Sequence, residues 1–146
     1  MTFVESADLL IVEDDPDDLE LTLRALKKNR VANIILTLKD GEEALDYLFE
    51  RGLFSGRPPV MPKVIFLDLK LPKIDGMEVL RQIKANDRTR AIPVVMLTSS
   101  QQDRDVIDSY RLGVNSYIVK PVDFSKFAAA IAQLGSYWLA LNHPHR

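Results

Sequence analysis

The stretch "LLIVEDDPDD", Leu9 to Asp18, decides how the rest of the chain is read. A strand with one wet face would alternate apolar and polar residues. An unbroken apolar run such as Leu9–Val12 instead suits a parallel strand covered on both faces. Five carboxylates then crowd into the six positions from Glu13 to Asp18, and no lysine or arginine follows before Arg24. Part of that charge starts a helix. Asp15 stands before Pro16, an N-cap followed by proline at the first helical position. Asp17 and Asp18 fall in the first turn, where the helix dipole favours negative charge. Glu13 and Asp14 precede the cap and have no such role, so they are read as site residues.

The same strand–helix unit recurs along the chain. "NIILTL" (33–38), "VIFL" (64–67), "PVVML" (93–97) and "SYIV" (116–119) read as further strands. Between them lie amphipathic segments. Leu19, Thr22, Leu23 and Leu26 share a face of the first, and Ala44, Leu45, Leu48 and Phe49 a face of the second. Val79, Leu80 and Ile83 mark the third, and Val106, Tyr110 and Leu112 the fourth. The fifth, about Asp123 to Asn142, carries Phe124, Phe127, Ala128, Ile131, Leu134, Trp138 and Leu141 at steps of three and four. Ser100 with Asp103 and Asp75 with Glu78 have the spacing of capping boxes. One connection is long: "RGLFSGRPPVMPK" (51–63), whose prolines forbid continuation of the second helix. Five repeats with right-handed crossovers predict an α/β fold, a doubly wound five-stranded parallel sheet. In its flavodoxin-like form the strand order is 2-1-3-4-5, here with a long C-terminal helix.

At 146 residues the chain is expected to be one domain, with nothing left over for a second. Its 47% hydrophobic and 27% charged residues are ordinary for a soluble protein. With 19 basic against 21 acidic residues, it lacks the basic footprint that nucleic acid requires. Without cysteine there can be no disulfide, thiolate metal site or cysteine nucleophile. The N-terminal stretch has neither a signal-peptide pattern nor a membrane span, so a cytoplasmic protein is expected.

Ligand sites in such sheets lie beyond the carboxyl ends of the strands, where the strand order reverses. The first apolar run ends in Glu13 and Asp14, the third in Asp68, the fourth in Thr98 and the fifth in Lys120. In the order 2-1-3-4-5 the first and third strands are neighbours, and their acids meet. Three converging carboxylates need a cation or a proton. Oxygen donors without cysteine or a nearby histidine suit Mg2+. Mg2+ beside a carboxylate, a hydroxyl and a lysine is the equipment of phosphoryl transfer. A carboxylate can itself be the nucleophile, and Asp68, alone at the end of a central strand, is assigned that part.

"LLIVED", "VIFLDLKLPKIDG", "PVVMLTSS" and "GVNSYIVKP", in this order and spacing, resemble the receiver domain of two-component response regulators of the chemotaxis-regulator type, over about residues 7–142 and with no effector domain expected. The insertion "RGLFSGRPP" and the ending "SYWLALN" are similar to the single-domain regulators that partner phytochrome-type histidine kinases. The resemblance implies that Asp14 and Asp68 bind Mg2+ directly, Glu13 through water, and Lys70 through its backbone carbonyl. It implies that Thr98 hydrogen-bonds a phosphoryl group on Asp68, that Lys120 pairs with it, and that Lys120–Pro121 is cis. It makes Tyr117 a switch residue; core packing is the other reading of that side chain. A sensor histidine kinase, in this group a phytochrome, is the implied partner, and output is expected as protein–protein contact.

Two rival functions share the fold. A Mg2+-dependent phosphohydrolase commonly has a second acid two positions beyond its nucleophile, where this chain has Lys70. A flavin or nucleotide binder would need a phosphate-cradling glycine loop after the first strand, and none is there. The apolar surplus near the end of the fifth helix, Tyr137 and Trp138 above all, predicts a homodimer through that helix. His143 and His145 sit in the polar ending "NHPHR" and are assigned no role.

Overall fold

The computed structural model describes residues 7–29, 34–58, 60–99 and 104–134. Strands β1 (Leu9–Val12), β2 (Ile35–Leu38), β3 (Val64–Asp68), β4 (Val94–Thr98) and β5 (Ser116–Val119) alternate with helices α1 (Pro16–Lys28), α2 (Gly41–Leu48), α3 (Gly76–Ala85), α4 (Arg104–Arg111) and α5 (Phe124–Ala132). All strand pairs are parallel, in the order β2-β1-β3-β4-β5. The predicted fold is the observed one.

Burial on both faces explains the uninterrupted apolar strands. Leu10, Val12, Ile65, Leu67, Val94 and Met96 face a core closed by α2 and α3. The alternate residues Leu9, Ile11, Val64, Phe66, Val95 and Leu97 face a second core closed by α1 and α5. Phe66 meets Phe127 edge-on there, with ring centroids 5.4 Å apart. The strand ends lie within a residue or two of their expected places. Asp68 and Thr98 are the last residues of β3 and β4 rather than the first beyond them.

Helix faces depart from expectation in particular places. On α1 the buried residues are Thr22, Ala25 and Leu26, and Leu23 is exposed. Leu19, Thr22 and Leu26 of the expected stripe do pack inward, and the face turns toward Ala25 and away from Leu23. Phe124 and Tyr110 are also exposed, while Ala130 takes an inward place on α5. Asp75 occupies the N-cap of α3, yet its side chain caps nothing. Glu78 turns outward to Gln82 and Arg81 instead of closing a capping box. The turn is held through the backbone, with the Gly76 N–H donating to the Leu69 carbonyl at 3.1 Å. Helix α5 stops at Ala132 with Gln133 as its C-cap, short of the expected length; residues 135–142, the Ser100–Asp103 capping box and both histidines lie outside the described residues.

The long connection is more structured than its prolines suggest. Gly52–Phe54 form a 3-10 turn, and Arg57 behind it is buried. Its guanidinium lies 3.9 Å from the Tyr47 ring centre. It donates to the carbonyls of Tyr47, Pro58 and Val60 at 2.7, 2.7 and 3.0 Å. Among the described residues, no helix is long and apolar enough to cross a membrane.

Candidate functional site

The strand order brings the acids together. β1 and β3 are paired with Val12 opposite Leu67, so one further step sets Glu13 beside Asp68. The Glu13 N–H is tied across to the Leu38 carbonyl of β2 at 2.9 Å. Glu13 and Asp68 are buried, and Asp14 is exposed. Carboxylate oxygens of the three lie within 4.8 Å of one another.

Lys120 enters from the end of β5, where its N–H donates to the Thr98 carbonyl at 2.7 Å. The Lys120–Pro121 bond is cis, as the resemblance implied. The ammonium lies 2.8 Å from Glu13 Oε1, 3.0 Å from Asp68 Oδ2 and 3.0 Å from Asp18 Oδ2. The other Asp68 oxygen, Oδ1, accepts the Lys70 N–H at 3.2 Å. The Lys70 side chain itself is exposed. Thr98 is buried one step beyond the Asp68–Leu97 pair. Tyr117 stands further back along β5, half-buried, with its ring edge-on to Tyr110 at 5.7 Å. The two line an open groove with Lys126 and Gln133.

The charge balance is strained. Burial, reinforced by the neighbouring Asp68, pushes the Glu13 carboxyl from 4.5 up to about 8, against the pull of Lys120. Burial also works against the Lys120 charge, but its contacts with Glu13, Asp68 and Asp18 outweigh that and hold the amine above the ordinary lysine value. Without a metal, the site thus keeps a proton at neutral pH to relieve crowded negative charge. An all-oxygen donor set with that excess fits a hard divalent cation.

Sequence reasoning left out one contributor. Asp18 is explained by the helix dipole alone until the fold carries Lys120, 102 positions away, against it. The usable signal was its place in the first turn. Helical side chains lean toward the N-terminus, which here points at the strand ends.

Residues 9–132 match the family described as the response regulator receiver domain. The chain belongs to that family. It is 42% identical over 134 residues to the probable methanogenesis regulatory protein FilR2 of Methanothrix harundinacea, covering 92% of this chain and 84% of that protein. With response regulator Rcp1 of Synechocystis sp. it shares 39% over 131 residues, 90% of this chain and 88% of the relative. The Mn2+-bound structure of Rcp1 aligns with a TM-score of 0.74 at 36% identity, over 95% of this chain and 97% of that one. The bacteriophytochrome response regulator RtBRR is nearer, with a TM-score of 0.86 and 54% identity over 96% of this chain and 84% of that one. This receiver is a signalling protein activated by phosphorylation. Its acidic group, with Glu13 and Asp68 buried, lies where the β1–β3 switch point puts it.

Proposed function

We propose that the receiver takes a phosphoryl group from a partner kinase's phosphohistidine onto Asp68. One observation carries the assignment: the Asp68 carboxylate is buried and anchored at both oxygens, by the Lys70 N–H and by Lys120. An Asp68 oxygen attacks phosphorus, the P–N bond breaks, and the imidazole leaves with the bonding electrons. Anchoring places the nucleophile in advance, so little orientation is lost on reaction. Asp14, Asp68 and the Lys70 carbonyl would hold Mg2+ directly and Glu13 through water. Mg2+ held there would supply neutralisation of charge on the transferring group. Lys120 and Thr98 then take up the new phosphoryl oxygens, and Tyr117 transmits the change to the groove it shares with Tyr110.

Similarity to a bacteriophytochrome response regulator supports a phytochrome-type histidine kinase as the partner. Output is contact with another protein, in the cytoplasm, and the receiver turns over no substrate but its own phosphoryl group. A second copy of the chain, bound through the C-terminal helix, is one such contact.

The test is intact-mass measurement of the protein and its Asp68→Asn variant after incubation with a small phosphodonor, with and without Mg2+. A single phosphoryl adduct is expected on the wild type alone, dependent on Mg2+ and labile to hydroxylamine. An adduct that survives in Asp68→Asn would displace the assignment to another residue.

A further inference from the structure

Three carboxylates share the Lys120 ammonium, and they are not equivalent. Glu13 and Asp68 belong, with Asp14, to the group whose oxygens cluster within 4.8 Å. Asp18 stands outside that group yet lies as close to the ammonium as Asp68 does, 3.0 Å. A divalent cation in the acidic group competes with Lys120 for Glu13 and Asp68 and repels its charge. Of the three partners, Asp18 is the one such a cation leaves to the lysine.

Local structure builds this placement. The Asp15 side chain accepts the N–H of Asp18 at 3.1 Å. The Asp18 carbonyl accepts the hydroxyl of Thr22, itself buried, at 3.1 Å. With its backbone pinned on both sides, Asp18 aims its side chain toward the start of α1 and so over the strand ends. Asp17, in the same turn, is exposed to solvent. It shares the dipole role of Asp18 without the contact.

We propose that Asp18 is a positioning residue for phosphoryl transfer, holding the Lys120 ammonium at the first turn of α1 when a divalent cation takes its share of Glu13 and Asp68. This rests on the metal and lysine roles assigned above. Without Asp18 the ammonium settles on Glu13 and Asp68 alone and opposes Mg2+ entry. The residue thus acts on the metal through the lysine, not by adding its own charge to the metal's field.

Calorimetric Mg2+ titration of the full chain separates the two modes. The variants are Asp18→Asn, Lys120→Met, their combination, and Asp17→Asn. Asp18→Asn is expected to weaken Mg2+ binding roughly two- to fivefold, the range of a partly exposed ion pair. The same substitution should change nothing measurable in the Lys120→Met background, and Asp17→Asn should leave affinity at the wild-type value. In the Mg2+-loaded protein, the Lys120 ammonium signal in 15N NMR should broaden through faster water exchange in Asp18→Asn. An unchanged affinity in Asp18→Asn would overturn the proposal, as would a loss that persists or grows when Lys120 is absent. A wild type that binds no Mg2+ would instead overturn the metal site itself.

Discussion

Glu13 sits where burial and a neighbouring carboxylate both oppose ionisation, which is why its carboxyl is pushed up to about 8. A folded-state value above the unfolded 4.5 means that the metal-free fold binds a proton the unfolded chain has lost. That contribution to stability is complete below the unfolded value and disappears as pH rises through about 8. Mg2+ entering the acidic group replaces the proton. At pH 7 binding is expected to release close to one proton, and at pH 9 almost none. Titration calorimetry in buffers of differing ionisation enthalpy reads this number directly. Glu13→Gln should remove the release at pH 7, and a release that survived the substitution would assign the proton elsewhere.

At the scale of elements, two backbone features support the site from outside its chemistry. Gly76 opens α3 against the end of β3, and a methyl group there would fall on the carbonyl oxygens of Asp68 and Leu69. Gly76→Ala must push the β3–α3 turn aside, at about 2 kcal/mol by the usual range for overpacking. Because that turn carries Asp68 and the Lys70 carbonyl, weaker Mg2+ binding should accompany the lower denaturation midpoint. The connection between α2 and β3 is held differently. Arg57 satisfies three carbonyls from a buried position over Tyr47. Arg57→Ala strands those acceptors and is expected to cost about 3 kcal/mol in urea denaturation. Mg2+ affinity should stay unchanged, since Arg57 is anchored at the C-terminal end of α2, away from the acidic group.

For the whole molecule, the doubly wound sheet explains why distant sequence segments form one site. Its order sets β1 beside β3 and β5 at the far side of β4, so that Glu13, Asp68, Thr98 and Lys120 share one edge. Homodimerisation through the C-terminal helix is a prediction at this scale. Sedimentation velocity should give a mass that rises with concentration, and ending the chain after Leu134 should abolish the rise. A monomer at every concentration, phosphorylated or not, would remove the dimer from the account.

The five strands and the residues at their ends were legible because they depend on composition within single segments. A strand covered on both faces must be apolar throughout, and a polar residue that ends it must lie at the sheet edge. Asp15 as a helix cap is likewise a local matter, and it accepts the expected N–H groups. Leu23, Arg57 and Asp18 were misread or passed over for a shared reason. Periodicity describes a helix face as a whole, and only packing decides which residue at its margin is covered. A buried arginine needs carbonyl partners that a folded loop supplies. The contact of Asp18 with Lys120 spans 102 positions and exists only because the sheet is closed in that order. Local pattern thus determines which groups reach the edge, while tertiary packing determines which charges meet there, since Coulomb energy depends on distance in space and not along the chain.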